Sequence, residues 1–247
     1  MRFPKVLLLA LVLVAPTLAH AAPPPAAQAQ KAAQALRRYV DGMTASGGWP
    51  DYTRPPASDL FRRVFDVDAL EALPPPQAND LPWLLEWSQT ASAASKAIVM
   101  HGIKPGPNPD LVAVAQNVER YEDQYCAAAD FLIRVGAREM TALASFVARL
   151  PPEQHTPVRA AGIVKAKAGA AQMIAGFLIS ASGGMKPANA RLVTAALRDT
   201  RDVWAGFLAP AVRPRILDLV AQATRRIEDE EAKRNLASFA AALDAAK

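Results

Sequence analysis

Proline sets the terms on which this chain can fold. There are 21 prolines in 247 residues. A proline has no amide hydrogen to donate, and its ring clashes with the preceding turn, so helices stop or start where it falls. Here the prolines divide the chain into pieces of helical length. Runs of alternating β-branched residues bounded by turns, which would mark strands, are not found between them. The expectation is an all-α protein: a single bundle-like helical domain of roughly seven helices, with long central helices near 109–150 and 157–182.

The pieces follow in order. Residues 22–31 read as an extended Ala/Pro-rich leader, and the helical domain as 32–247. Leu36, Val40 and Met43 share one face of a first helix. The segment SGGWPDYTRPP is a turn-rich loop. Ser58 caps a short helix carrying Leu60, Phe61, Val64 and Phe65, and Asp68 with Glu71 resembles a capping box. Pro74-Pro75-Pro76 stops that run. Asn79 or Asp80 caps a helix through Trp83, Leu84 and Trp87 to Ile98, with Gly102 as its left-handed end. Asn108-Pro109 starts the next.

From Pro109 to Leu150 the apolar residues recur at steps of three and four, from Leu111, Val114 and Val118 through Tyr121 and Tyr125 to Leu143 and Phe146. That is a bundle-facing seam. Gly136 lies inside it, at a cost of about 1 kcal/mol relative to alanine, and marks a point where a long helix kinks. Thr156-Pro157 opens the most apolar helix, ending near Gly183-Gly184. Its stripe Gly162, Ala166, Gly169, Met173, Gly176, Ser180 predicts a close crossing of another backbone, with this helix at the centre of the bundle. Pro187, Pro210 and Pro214 punctuate the remainder. The acidic run Glu228–Glu231 suits the start of a last helix.

Before all this stands MRFPKVLLLALVLVAPTLAHAA. Arg2 and Lys5 precede an apolar run from Val6 to Val14, Pro16 breaks it, and Ala19-His20-Ala21 offers small residues at a cleavage site. That order is a secretory signal cut after Ala21. Spanning a bilayer takes roughly 20 apolar residues, and this run is about half as long. The residue after the cut is Ala22, so no lipidated cysteine follows. The stretch Ala168–Ile179 contains Gln172 and follows Lys165 and Lys167, so the expected product is not membrane-spanning after cleavage. An Ala/Pro-rich composition points to a high-GC bacterium, and therefore to a periplasmic or secreted protein.

Cleavage leaves 226 residues, enough for one domain or at most two small ones. The formal charge of +5 falls to about +3 once Arg2 and Lys5 are gone. No basic block interleaved with aromatics occurs, which argues against nucleic acid. The one cysteine, Cys126, sits before three alanines and reads as a buried hydrophobe rather than half of a disulfide.

Chemistry-bearing spacings are lacking. His101 and His155 have no partners at ligand spacing, so no metal and no cofactor is expected. No G-x-S-x-G elbow and no phosphate-binding glycine loop occurs. His101 beside Gly102 suits a helix C-terminus. Two constellations remain. Tyr121, Glu122 and Tyr125 fall together on the long seam, where phenols and a carboxylate could wall a polar pocket. Trp49 and Tyr52 lie on the glycine-bearing loop, where aromatics can stack on a ligand or fold back as a lid. The function expected is an exported binding or interaction module, its partner an unknown protein or a small apolar ligand. The alternatives are an exported enzyme using the Glu/Tyr pocket, and an envelope stress or chaperone-like protein.

Overall fold

The computed structural model describes residues 23–104, 106 and 109–246. The export signal and Asn108 lie outside them. Every regular element among the described residues is helical, as the proline spacing and missing strand signals imply. The helices are α1 (Pro24–Ala45), α2 (Ala57–Val64), α3 (Val67–Glu71), α4 (Leu81–Val99), α5 (Leu111–Arg120), α6 (Glu122–Ala148), α7 (Pro157–Ala181), α8 (Pro187–Asp199), α9 (Arg201–Phe207), α10 (Arg213–Arg226) and α11 (Glu230–Ala245). They outnumber the expected seven because segments read as one helix break. The 109–150 seam breaks at Tyr121, whose backbone sits at φ −111°, ψ 33°. The helix after Pro187 breaks at Thr200, at φ −106°, ψ 9°.

Local chemistry accounts for the ends. The expected leader is helical instead of extended. Pro24 and Pro25 occupy the first turn, where a missing amide hydrogen costs nothing, and the Ala/Gln run after them propagates. Ala26, Ala29 and Ala32 are buried on one face. Helix α2 begins at Ala57 without a side-chain cap. The cap of α3 is Asp66, accepting from the Ala69 amide at 2.9 Å, in place of the Asp68–Glu71 box. Asp80 accepts from the Gln77 amide in the turn before α4. Asp110 accepts from the amides of Val112 and Ala113 and so caps α5. Thr156 caps α7 and Asp229 caps α11, at the helix starts read from the sequence.

The chain gathers into two compact units. One comprises the described residues up to Pro75 together with Pro82–Val135. Among its buried residues is an aromatic group: Phe61, Phe65, Trp83, Trp87 and Phe131. Trp87 donates its indole N–H to the Val64 carbonyl at 3.3 Å. Arg134 bridges Asp130 at 2.7 Å and Glu71 at 2.5 Å, tying α3 to α6. Cys126 is fully buried, as expected of a thiol flanked by alanines.

The other unit comprises Pro76–Leu81 and the chain from Gly136 on. Helices α8 and α11 pair closely in it, and the buried Asn235 donates to Thr194 and accepts from Arg198. Helix α7 packs on α10, and it buries Ala166, Ala170, Ile174, Phe177 and Leu178. The glycine stripe does not make the close crossing expected of it: Gly169 is exposed and a Cβ at Gly176 would meet nothing within 4 Å. The burial of α7 is confined to its second half, from Ala166 on, while the half before it is mostly exposed. The close approach falls at Gly136. A Cβ there would lie 3.1 Å from the Trp204 ring and 3.2 Å from Met173 Cε. The helix α6 runs unbroken through that glycine, whose role is to admit the indole.

Candidate functional site

The first unit positions the loop between α1 and α2. At the end of α1, the Gly48 amide donates to the Met43 carbonyl at 2.8 Å and the Gly47 amide to Thr44 at 3.1 Å. Gly47 has φ +69°. This is a Schellman end, and it requires a residue free to take positive φ. The chain leaves it heading outward, and Trp49 is the next residue.

Polar contacts from α4, α5 and the following turn then fix the loop. His101, buried just past α4, lies 3.0 Å from the Gly48 carbonyl through Nε2 and 3.0 Å from Thr44 Oγ1 through Nδ1. A carbonyl only accepts, so Nε2 carries a hydrogen. Thr44 Oγ1 is also 3.0 Å from the Val40 carbonyl. Gly102, at φ +70°, turns the chain at this point as expected. Asn117 of α5 is buried and donates to the carbonyls of Val99 at 2.8 Å and His101 at 2.9 Å. It thereby satisfies acceptors left open where α4 ends. Tyr121 donates its hydroxyl to the Pro50 carbonyl at 3.1 Å. Asp51 accepts from both the amide and the hydroxyl of Thr53, at 2.9 and 2.6 Å. Those two hydrogen bonds, the hydroxyl's foremost, hold its carboxyl below its ordinary range.

Trp49 therefore stands on a braced loop. It is 44% exposed. The Arg120 guanidinium lies over its ring at 3.8 Å, and the His101 ring is 4.9 Å away at 58°. Beneath it runs a ladder of rings: Tyr121 at 6.3 Å, then Tyr52 edge-on to Tyr121 at 5.2 Å, Phe61 at 5.9 Å from Tyr52, and on through Phe65 and Phe131 to Trp87. Edge-to-face pairs of this kind are favourable beyond their burial. Burial pushes the Tyr52 phenol well up, with neighbouring Tyr121 and Tyr39 adding to it, and burial likewise raises Tyr121. Both phenols are neutral at physiological pH. The Tyr52 hydroxyl is buried and has no hydrogen-bond partner among the described residues.

Of the residues singled out from sequence, the structure joins Trp49, Tyr52 and Tyr121 in one cluster. Glu122 and Tyr125 occupy the next turn, half-buried at the start of α6. His101, Arg120, Asn117 and Thr44 complete the arrangement, and the sequence reading did not connect them to the loop. Only the adjacency of His101 to a helix-ending glycine hinted at a fixed position. Chemically, the arrangement presents a flat aromatic surface and a delocalised cation, both pre-positioned. The ring nitrogens of His101 are both engaged. Among the described residues, no group of three or more His, Cys, Asp or Glu side chains is placed to hold a metal ion. Comparison with family models, curated proteins and solved structures finds no match.

Proposed function

We propose that this chain is an exported binding module that docks a protein partner through the Trp49–Arg120 surface. One observation carries the reading: an indole nearly half open to solvent sits between two loop carbonyls, those of Gly48 and Pro50, that His101 and Tyr121 hold in place, and a guanidinium lies over its ring. An exposed tryptophan left free gains nothing from such bracing. A contact surface does, because ordering it beforehand removes a cost from association. Tryptophan, tyrosine and arginine are also the residues that carry most energy in protein interfaces.

The periplasmic or secreted destination rests on the N-terminal pattern of charge, apolar run and A-x-A. Helix α7 is long and apolar enough by length and composition to cross a membrane. The reading as a non-spanning product is supported by Lys165 and Lys167 near its middle, each costing about 2.5–3.5 kcal/mol at a bilayer centre. Mass analysis of protein from a periplasmic fraction tests the destination, and a product retaining residues 1–21 refutes it. A photoreactive residue replacing Trp49 tests the docking surface. It should crosslink a defined periplasmic protein, while one replacing Val112, exposed on α5, should not. Equal labelling from both positions refutes the surface.

A further inference from the structure

Around Trp49 the acceptors of Gly48, Pro50 and Asp51 are engaged, and the donors that face solvent are not. The Gly48 carbonyl lies 3.0 Å from Nε2 of His101, and the Pro50 carbonyl accepts the Tyr121 hydroxyl at 3.1 Å. The Asp51 carboxylate accepts from the amide and the hydroxyl of Thr53 and lies 3.6 Å from the Arg54 guanidinium. Arg120, by contrast, is exposed at the end of α5, with its guanidinium 3.8 Å from the Trp49 ring centroid. That guanidinium forms no hydrogen bond or ion pair among the described residues, and the Trp49 indole N–H forms no hydrogen bond among them. Glu119 is its neighbour in the chain, and residues one apart on a helix do not face each other. Glu122 and Asp123 begin α6, beyond the break at Tyr121, and neither pairs with it.

A guanidinium carries five N–H donors in a planar fork and keeps its charge at every physiological pH. Held over an indole, this one is already ordered, so less freedom is lost when its hydrogen bonds form. The fork matches an anion that accepts two parallel hydrogen bonds. A carboxylate is planar and brings one negative charge to one cation, whereas a phosphate monoester brings about 1.5–2. Resting on the reading of this surface as a docking site, we propose that Arg120 binds an aspartate or glutamate carboxylate of the partner protein, with the Trp49 ring as the flat apolar wall beside it. The partner face is accordingly acidic.

Nitrogen-15 NMR of the full chain reads the Trp49 indole N–H and the Arg120 Nε–H directly. The probe is a blocked leucine-glutamate-leucine tripeptide, with glutamine at the centre of its neutral counterpart. The glutamate peptide should shift both signals saturably at millimolar concentration, and the glutamine peptide should bind at least about tenfold more weakly. Arg120→Lys keeps the charge but loses the fork, and should bind the glutamate peptide several-fold more weakly than wild type. Arg120→Gln should abolish the preference for glutamate, with circular dichroism unchanged. Equal binding of the two peptides overturns the proposal and leaves Trp49 as a docking surface without charge selection. Shifts from neither peptide overturn it, as does a glutamate preference that survives in Arg120→Gln. So does inorganic phosphate moving the same signals at lower concentration, which would assign the fork to a phosphorylated ligand. Failure of the docking reading shows separately, as equal crosslinking from positions 49 and 112.

Discussion

Replacing Asn117 by alanine tests whether the Trp49 loop is braced from behind. The Asn117 amide donates to two main-chain carbonyls, those of Val99 and His101, at 2.8 and 2.9 Å, and the side chain is buried. Alanine removes both donors without offering water a way in. A buried acceptor left unpaired costs about 1–3 kcal/mol, so Asn117→Ala should lose roughly 2–4 kcal/mol. Against a typical total of about 5–15 kcal/mol, that is a large share. Urea unfolding followed by circular dichroism measures it, with amide exchange of residues 98–103 as the local readout. Asn117→Asp sharpens the test. At neutral pH its carboxylate has no hydrogen to give and faces two carbonyl oxygens, so it should be less stable than the alanine variant. In that setting its folded pKa is raised above the unfolded value. The penalty is then full above the folded pKa and relieved as pH falls through it, where a protonated carboxyl can donate once. Asn117→Ala within about 0.5 kcal/mol of wild type, or an aspartate better tolerated than alanine at neutral pH, would refute the bracing argument.

Tyr52→Phe should be neutral or slightly stabilising, since the hydroxyl it removes is buried with no hydrogen-bond partner among the described residues. It should also flatten the alkaline limb. The folded phenol's pKa is raised, so its contribution is intact below the unfolded value near ~10 and is lost as pH rises above it, at about 1.4 kcal/mol per pH unit; an unchanged limb in the variant would contradict this. Gly42→Ala, in open space on α1, should gain about 0.5–1 kcal/mol. Gly136→Ala meets the rigid Trp204 ring, so its overpacking cost of about 1–3 kcal/mol should cancel or exceed that propensity gain; equal gains at both sites in thermal denaturation would show that the indole can give way. Cys126 should resist thiol reagents in the native protein and react only on unfolding; fast native labelling would place it at the surface.

Where the fold could be read from residues in order, local chemistry decided the outcome. Thr156-Pro157, Pro187 and the acidic run before α11 each carry their own start signal within a few residues, and each starts a helix. The break at Tyr121 carries no such signal. The seam passes through it without losing step, and nothing in the neighbouring residues disfavours helix. What sets it apart is tertiary: its hydroxyl reaches the Pro50 carbonyl, and Asn117 a turn earlier grips the end of α4. The glycines show the same limit. Gly136 and Gly176 are alike in sequence, both inside apolar helices. One lies against an indole and the other beside nothing, because the space around them is made by residues far along the chain.

The site divides along that line too. The Schellman end at Gly47-Gly48 is local, so a loop rich in turn formers could be anticipated, with Trp49 and Tyr52 on it. What makes the loop a platform is not local. Thr44 and His101 are 57 residues apart, and Tyr121 is 71 from Pro50. Each contact joins a common polar residue to a main-chain group or a hydroxyl, and no spacing distinguishes such residues from solvated ones. Trp49 and Arg120 are ordered by distant contacts, so their readiness to bind appears only in three dimensions. For α7, the sequence showed the small residues but not which face met solvent.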